Sequence, residues 1–297
     1  MRILLTGASG FIGGHLLRHL VGTHQVYALV RQAPAVPLPG VHYLQQDLRQ
    51  PLDLADLPAQ LDAIIHQAAL IHTEQQDDSQ AFAVNVTATW HLLKYAQAAG
   101  VHTFVHASTG GVYGCRNQPF GESDPFNPMD LYSLTKAQAE LAVQAAPGGF
   151  HKIILRYFFP YGIGTPNPIP IYVQRALTGE TIQVLQSSKP AFNPLHVSDA
   201  VEATIRALHL EQSAIINMAG AEITTFQAIA EMAASLAQRK PNFSFIPDEN
   251  AIPYYRSDLV ADISRMQTLL NFTPQVTLAE GIGEMMRYYL NLLGPAD

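Results

Sequence analysis

The chain has 297 residues, of which 48% are hydrophobic and only 14% are charged, a composition typical of a compact globular protein rather than a disordered one. The net charge of −7 at pH 7, with 17 scattered Lys and Arg residues, argues against a nucleic-acid or anionic membrane surface. The single cysteine, Cys115, excludes an intrachain disulfide, and no apolar run reaches the length of a membrane helix. We therefore expect a cytoplasmic protein without nucleic-acid or membrane partners.

The first predicted strand, Ile3-Leu4-Leu5, leads into three glycines at three-residue spacing and then an amphipathic helix. Gly7 permits a sharp turn, Gly10 lets the backbone approach a ligand, and Gly13 lets the helix lie close to the strand. The start of the helix offers unpaired N–H groups and a positive dipole to a pyrophosphate. A glycine-rich turn can also serve packing alone, but its position in a β-α-β pattern predicts a dinucleotide site.

A second strand is predicted over residues 25–30, and the residue that follows it bears on the choice of cofactor. An acidic residue there would hold the ribose 2′-hydroxyl of NAD(H), whereas an arginine can accept the 2′-phosphate of NADP(H). The chain has Arg31 at this point and no carboxylate until Asp47. We therefore favour NADP(H) over NAD(H), although an arginine after a strand can also be simply solvated.

Two further strands, predicted over residues 41–46 and 61–66, end next to candidate ligand contacts. In a parallel sheet the ligand lies beyond the carboxyl ends of the strands. We expect Asp47 and Leu48 to flank the adenine, and Ala68-Ala69 to allow close backbone approach to the phosphate and ribose. Asp47 could equally cap a helix.

The alternation of helix and strand continues to about residue 157 and then loosens. Predicted helices cover 79–99, 132–146, 225–238, 278–293 and a stretch from about 198, and predicted strands cover 102–108, 152–155 and 214–217. Residues 160–170 are rich in Pro and Gly, which indicates loops. The fold class predicted is α/β: a doubly wound parallel sheet with a smaller C-terminal α/β domain. We divide the chain into residues 1–157, with 195–217 returning to that part, and 158–297.

Tyr132 and Lys136 lie four residues apart and hence on one face of a helix. A tyrosine pKa near 10 is too high for a general base at neutral pH, and a neighbouring cation lowers it by favouring the phenolate. Thr109, just after the fifth strand, can hydrogen-bond a substrate oxygen. This spacing is frequent by chance, but its position after a dinucleotide-binding half makes the pair more specific.

On these residues the sequence resembles the extended short-chain dehydrogenase/reductase family, the NAD-dependent epimerase/dehydratase group. The resemblance covers nearly the whole chain, and its carriers are Thr6 to Gly13, Asp47-Leu48, His66 to Ala69, Asn85-Val86, Ala107 to Gly114, Tyr132 with Lys136, Leu155 to Phe158, His196 to Asp199 and Asp262 to Ser264. It implies a Rossmann domain, a smaller C-terminal substrate domain, and a homodimer formed through a four-helix bundle. The two helices per subunit would be those around 79–99 and 131–146.

The activity implied is NAD(P)-dependent hydride transfer at a secondary alcohol or ketone, with Tyr132 as acid/base. Lys136 would lower the tyrosine pKa and hold the nicotinamide ribose, Thr109 would be the third catalytic residue, and two donors at the reacting oxygen would stabilise the transition state. The implied cofactor contacts are Gly7, Ser9, Gly10, Phe11, Ile12, Gly13, Arg31, Asp47, Leu48, Ala68, Ala69, Asn85, Ala107, Tyr132, Lys136, Tyr157 and Phe158.

The departures from the family concern the substrate. Phe159 stands where nucleotide-sugar epimerases usually carry Asn, and Phe192-Asn193 stands for their Arg-Asp. Both changes disfavour a nucleotide sugar, although Arg256 matches a position that binds diphosphate in relatives. Gly110-Gly111 replaces the Asp-Glu of the dehydratases, which disfavours a dehydratase. The candidate substrate contacts are His72, Thr109, Gly111, Phe159 and Arg256.

Two alternatives stay open besides an oxidoreductase that releases its cofactor. One is a nucleotide-sugar epimerase with tightly bound NAD, and the other is an NADP(H)-sensing module that regulates a partner without chemistry. The presence of Thr109, Tyr132 and Lys136 speaks against the sensor, which needs no proton donor. The histidines show no metal-ligand spacing, so we expect no metal site.

Overall fold

The computed structural model describes residues 1–71, 77–250 and 257–293. The chain divides into two compact units, one made of residues 1–112, 125–156 and 201–216 and the other of residues 113–124, 157–200 and 217–297. Residues 113–124 fall in the second unit, where the Tyr113 hydroxyl donates to Asn217 Oδ1 at 2.8 Å. Asn217 in turn donates to the carbonyl of Phe120 at 2.9 Å. Side-chain hydrogen bonds of this kind leave no periodicity in the sequence.

The strands are short. In chain order they are β1 (Arg2–Thr6), β2 (Gln25–Val30), β3 (Val41–Gln45), β4 (Ala63–His66), β5 (Thr103–Thr109), β6 (His151–Tyr157), β7 (Thr181–Leu185), β8 (Ala191–Phe192), β9 (Ala214–Met218), β10 (Thr224–Thr225) and β11 (Asn242–Ile246). The helices are α1 (Phe11–Leu20), α2 (Asp78–Phe82), α3 (Ala88–Ala98), α4 (Leu131–Ala145), α5 (Ile169–Thr178), α6 (Val197–Ala207), α7 (Phe226–Leu236), α8 (Ser264–Leu270) and α9 (Leu278–Leu293). A π-helical turn, Ala83–Thr87, joins α2 to α3.

Seven strands form one sheet in the order β3-β2-β1-β4-β5-β6-β9. The pairs β1–β2, β2–β3, β1–β4 and β4–β5 are parallel. The central strands are almost wholly apolar and buried, as in Ile3, Leu4 and Leu5, because helices cover both faces of such a sheet. The strand order reverses between β1 and β4, and in open α/β sheets the ligand crevice lies at this switch point. The predicted α/β fold class is confirmed.

The second unit has its own apolar core between α5, α7 and α9. Ile169, Val173, Ile229, Ala233 and Ile282 belong to this core. Two small sheets complete the unit: β7 pairs with β11 in parallel, and β8 pairs with β10 antiparallel. Among the described residues, no helix is both long and apolar enough to cross a bilayer.

Candidate active site

The glycine turn between β1 and α1 is built from backbone contacts. Gly7 has φ +72°, and a Cβ on it would lie 2.5 Å from the backbone nitrogen of Ala68. A Cβ on Gly13 would lie 2.0 Å from the carbonyl oxygen of Gly7. The first turn of α1 contains no acidic residue, so its N–H groups and positive dipole face the turn without a competing carboxylate. Close backbone approach and the positive end of a helix dipole are the features that favour a pyrophosphate at such a turn.

A cleft of about 330 Å³ opens at this turn. It is lined by eight residues that the sequence predicted as cofactor contacts: Gly7, Ser9, Gly10, Arg31, Asp47, Leu48, Ala68 and Ala69. The sequence interpretation missed the other eight lining residues: Leu29, Val30, Gln46, Arg49, Gln67, Leu70, Gln80 and Val84. Most of these flank a predicted contact in the chain, and Gln80 and Val84 come from the helical segment after β4. Only the fold brings that segment to the cleft.

The charged residues that line this cleft are two arginines, Arg31 and Arg49, and one carboxylate, Asp47. Arg49 donates through Nε to both carboxylate oxygens of Asp47, at 3.0 and 2.9 Å. The hydrogen bond from Arg49 is the main cause that lowers the pKa of Asp47, and the charge of Arg31 contributes. The carboxylate is therefore ionised and partly neutralised by its neighbours. Arg49 had no recognisable signal in the sequence, because the pairing depends on a local turn.

A chain of buried hydrogen bonds supports the ends of β1 and β4. Thr89 Oγ1 donates to the carbonyl of Asn85 at 2.7 Å, so it must accept from His66 Nε2, 2.9 Å away. His66 Nδ1 then accepts from Thr6 Oγ1 at 2.7 Å, and Thr6 Oγ1 accepts from the N–H of Ala68. Burial lowers the pKa of His66 to about 3, with a further contribution from Lys136, which keeps the ring neutral as this order of protons requires.

Asn85 lies in the π-helical turn and is completely buried. Its amide donates to the carbonyl of Leu70 at 3.0 Å and to Thr135 Oγ1 at 2.9 Å, and its oxygen accepts from the N–H of Leu70 at 2.8 Å. The side chain thus joins the loop after β4 to α4. A direct contact with a cofactor stays a prediction.

Helix α4 carries the predicted acid/base pair. It begins at Leu131, where Asp130 caps it by accepting from the N–H of Ser133 at 2.7 Å. Tyr132 is half-buried on the first turn. Lys136 is 1% exposed, and its Nζ has no hydrogen-bond partner among the residues that the structure describes. A buried ammonium of this kind indicates a missing polar ligand.

Burial controls the pKa values of both groups. It lowers the pKa of Lys136 to about 7, against the opposing charge of Glu140. It also raises the pKa of Tyr132 to about 12, with a smaller contribution from Asp130. For Tyr132, burial is the largest effect, because desolvation disfavours the phenolate. The expected lowering of the tyrosine pKa by Lys136 stays a prediction.

Thr109 ends β5 and lies beside α4. Its Oγ1 accepts from the N–H of Gly111 at 3.1 Å, which leaves the hydroxyl hydrogen to donate elsewhere. A Cβ on Gly111 would lie 2.4 Å from Ser133 Oγ and 3.5 Å from Thr109 Oγ1. The loop therefore packs directly on the helix. A side chain at position 111 would require the Ser133 hydroxyl to move.

A buried ion pair lies deeper along α4. Arg156 in β6 donates to Glu140 through Nε at 3.0 Å and through Nη2 at 2.6 Å, and Ser108 Oγ donates to the same carboxylate. The sequence interpretation gave Glu140 no role. A signal existed, because a glutamate on the apolar face of a helix and an arginine inside an apolar strand both require partners.

The remaining predicted residues of the first unit sit near the cleft without lining it. Phe11 and Ile12 are half-buried in the first turn of α1, and Ala107 is buried in β5. Their contacts with a cofactor stay predictions. The predicted substrate residues His72 and Arg256 lie outside the described residues.

In the second unit, Tyr157 and Phe158 are almost fully buried, and the N–H of Phe158 donates to the carbonyl of Met218 at 2.9 Å. Phe159 follows with φ +41°, a backbone conformation that bulky residues rarely adopt. Its ring centroid lies 4.4 Å from that of Phe192. Asn193 donates to the carbonyls of Gly220 and Ala261 and so has a structural role. Roles of Tyr157, Phe158 and Phe159 toward ligands stay predictions.

The described residues contain no group of three or more His, Cys, Asp or Glu side chains that could hold a metal ion. The donor set of the site consists of backbone N–H groups, a buried ammonium, a phenol and a threonine hydroxyl. A glycine cradle that any Cβ would fill and an unpaired lysine fit a nicotinamide dinucleotide.

Comparisons with known proteins agree with this geometry. The model of the NAD dependent epimerase/dehydratase family matches residues 3–219. An uncharacterized UDP-glucose epimerase, YtcB, of Bacillus subtilis is 26% identical, and the match covers 98% of this chain and 99% of that protein. The structure of MoeE5 in complex with UDP-glucuronic acid and NAD has a TM-score of 0.85 and 29% identity, covering 98% of this chain and 100% of that one. The UDP-glucose 4-epimerase of Thermus thermophilus in complex with NAD has a TM-score of 0.82 and 26% identity, covering 100% of both chains.

The resemblance inferred from the motifs is confirmed by a family match that covers well over half of the chain. The fold comparisons extend to the C-terminal residues that the family model does not reach. The chain belongs to the NAD-dependent epimerase/dehydratase family and is an NAD(P)-dependent enzyme of the extended short-chain dehydrogenase/reductase type.

Proposed function

We propose that the enzyme interconverts a secondary alcohol and a ketone on a sugar-type substrate, with Tyr132 as the acid/base. The observation that carries the proposal is the buried, unpaired ammonium of Lys136 one helical turn from Tyr132. Leaving a buried charge unpaired is costly, so a site that keeps one has a use for it. The ribose hydroxyls of a dinucleotide and the phenol of Tyr132 are the partners that we assign to it.

The roles of the residues follow from their chemistry. When bound, the nicotinamide supplies a two-electron acceptor or donor for a C–H bond. Tyr132, with a pKa of about 12, is protonated at neutral pH and suits donation of a proton to a carbonyl oxygen. Thr109 can donate its hydroxyl hydrogen to the same oxygen, since its lone pair already accepts from Gly111. In the reverse direction Tyr132 first gives up its own proton, and the resulting phenolate accepts the proton of the alcohol; the charge of Lys136 stabilises that phenolate.

The test is the variant Tyr132→Phe, which removes the proton and keeps the ring. We expect kcat to fall by about 100-fold to 10,000-fold, the usual contribution of general acid–base catalysis, with little change in cofactor affinity. Tyr27→Phe is the matched control, because the Tyr27 hydroxyl accepts from Gln25 at the start of β2, the end of the strand away from the cleft. Turnover of an identified substrate by Tyr132→Phe at the wild-type rate would refute the assignment.

A nucleotide sugar is the substrate class that we propose first, because the relatives named above act on or bind UDP-sugars. Phe159 and Phe192, in place of polar residues, weigh against the class and make a direct test necessary.

Mass spectrometry of the native protein for retained nucleotide separates the two enzymatic hypotheses. An epimerase keeps NAD bound through the reaction, whereas a reductase releases its cofactor at each turnover. Incubation with UDP-glucose, UDP-glucuronic acid and dTDP-glucose, followed by chromatography of the sugar products, then tests the substrate class. Absence of any conversion, with cofactor bound, would overturn the nucleotide-sugar assignment.

We also propose that Arg31 and Arg49 admit the 2′-phosphate of NADP(H). No carboxylate follows β2 directly, and the carboxylate of Asp47 is engaged by Arg49. The two guanidinium groups line the same cleft. The solved structures compared above contain NAD, so affinities for both cofactors must be measured side by side.

A homodimer through α3 and α4 is the assembly that we propose. Trp90 is 37% exposed on α3, and Leu134 and Leu141 are 38% and 54% exposed on α4. Exposed apolar residues that recur along neighbouring helices are typical of a protein–protein interface. Sedimentation analysis of the purified protein tests the assembly directly.

A further inference from the structure

Glu140 lies one helical turn after Lys136 and two turns after Tyr132 on α4, and it is completely buried. Its carboxylate binds Arg156 in a two-pronged arrangement, with Nε 3.0 Å from Oε1 and Nη2 2.6 Å from Oε2. The two side chains are 0% and 2% exposed. A buried carboxylate that pairs with a guanidinium through two hydrogen bonds is ionised and fixed in orientation.

The same carboxylate also binds the strand that carries Thr109. Ser108 Oγ donates to Glu140 Oε1, and Ser108 is the residue directly before Thr109. One carboxylate therefore ties α4 to both β5 and β6. A shift of about 1 Å in a catalytic group can lower a rate by about 100-fold, so a fixed contact between these three elements matters for the reaction.

Glu140 is also the negative charge that acts on Lys136. In the described part of the chain, other titratable groups near the ammonium are Tyr132 on the same helix, His66 of β4 and His106 of β5. Burial lowers the pKa of each histidine, so both are neutral. Burial lowers the pKa of Lys136 itself, and Glu140 opposes that effect. At neutral pH, the protonation of Lys136 is therefore sensitive to this carboxylate.

We propose that Glu140, held by Ser108 and Arg156, is a positioning residue for Tyr132 and Lys136: it fixes α4 on the two strands and places an anion one helical turn from the buried ammonium. The proposal rests on the proposed function, because its catalytic consequence presupposes that Tyr132 and Lys136 act in the reaction. It adds a role that the position of the two catalytic side chains alone does not reveal.

The first test is Glu140→Gln, which keeps the size of the side chain and removes its charge. We expect kcat to fall at least tenfold at pH 8, and the ratio of variant to wild-type kcat to rise as the pH is lowered to 6, where Lys136 regains its proton. A merely structural role would lower kcat by the same factor at every pH. A pH-independent ratio therefore overturns the electrostatic half of the proposal, and an unchanged kcat overturns both halves.

Glu140→Gln leaves Arg156 buried without a counter-charge, and loss of one partner of a buried pair is strongly destabilising. The double variant Glu140→Gln with Arg156→Met removes both charges and keeps folding testable, since apolar replacement of a buried pair is often neutral. It should show a pH-dependent loss of kcat in the same direction but smaller, because removal of the Arg156 cation partly offsets removal of the Glu140 anion. Wild-type kcat in a folded double variant would contradict the proposal.

A second readout needs neither cofactor nor substrate. An unfolded lysine has a pKa of about 10.4 and the folded Lys136 has one of about 7, so the unfolded chain holds an extra proton between these values. The free energy of unfolding therefore falls as pH decreases from about 10.4 to about 7 and levels off below. The contribution of Lys136 is the difference in the free energy of unfolding between a protein and the same protein carrying Lys136→Met. In the Glu140→Gln/Arg156→Met background, this difference should keep falling to a lower pH than in the wild-type background, by about half a pH unit or more. An identical pH range in both backgrounds would refute the electrostatic role.

Glu202→Gln is the control for removing a carboxylate, because Glu202 forms an ion pair with Arg206 at 2.7 Å in which both side chains are 40% exposed. We expect it to leave both readouts unchanged. Failure of the proposed function would appear separately, as turnover that survives Tyr132→Phe. If Tyr132→Phe is inactive and the Glu140 variants behave like Glu202→Gln, only the role of Glu140 is wrong.

Discussion

Replacement of Gly13 by alanine tests the glycine cradle most directly. A Cβ at this position would lie 2.0 Å from the carbonyl oxygen and 2.7 Å from the carbonyl carbon of Gly7, both of which are backbone atoms. Ordinary carbon–oxygen contacts begin at about 3.4 Å, so the turn must move by more than about 1 Å. Overpacking of this kind costs about 1–3 kcal/mol, against a gain of about 1 kcal/mol from the higher helix propensity of alanine.

The neighbouring residue provides the control. Gly14 lies in the same helix, but a Cβ there would meet no atom closer than the carbonyl oxygen of Ala8 at 3.5 Å. Gly14→Ala should therefore stabilise the protein by about 0.5–1 kcal/mol, because alanine loses less backbone entropy on folding. The two substitutions are chemically identical and one residue apart, and the expected effects on stability have opposite signs.

Urea unfolding gives the stability of each variant, and fluorescence titration with NADH and NADPH gives cofactor affinity. We expect Gly13→Ala to weaken both cofactors by at least about tenfold, since loss of one hydrogen bond to a charged group costs about 1.5–3 kcal/mol. Gly14→Ala should bind as the wild type does. If Gly13→Ala were as stable as Gly14→Ala and bound cofactor normally, the close contact between helix and turn would have no role in binding.

The other charged, buried and exposed side chains described above give further expected outcomes. Arg31→Ala should weaken NADPH by at least about fivefold more than NADH, since it removes a charge-assisted hydrogen bond, and equal weakening in the two titrations would remove the phosphate assignment. His106 is completely buried, and neither of its ring nitrogens has a hydrogen-bond partner among the described residues. His106→Leu should therefore raise the free energy of unfolding by about 1–3 kcal/mol at pH 6. His66→Leu should lower it, because both ring nitrogens of His66 are hydrogen-bonded. Burial holds the folded pKa of His66 at about 3 and lowers that of His106, so below about pH 6.5 only the unfolded chain takes up these protons. The free energy of unfolding, measured with urea, should therefore fall by about 1.4 kcal/mol per pH unit for each of the two histidines. His106→Leu should remove the contribution of one histidine from this fall. Leu141→Arg should convert a dimer to monomers in sedimentation experiments, and an unchanged mass would exclude α4 from the interface.

The sequence by itself determined the fold class and eight of the residues that line the cleft at the glycine turn. Both depend on local patterns: buried strands read as continuous apolar runs, and a glycine must stand wherever another backbone passes within contact distance. Gly7, Asp47 and Ala68-Ala69 lie within three residues of a strand end, and Gly10 and Gly13 follow Gly7 at three-residue spacing, so all were identifiable. The helix spacing of Tyr132 and Lys136 was equally local.

Tertiary structure alone decided how charged groups inside the fold are paired and what their pKa values are. The carboxylate of Glu140 meets Arg156 and Ser108, which lie 16 and 32 residues away in the chain. Asn85 meets Thr135 over a separation of 50 residues. The pKa of Tyr132 is raised although a lysine stands one turn away, because burial depends on everything packed around a group and not on its neighbours in sequence.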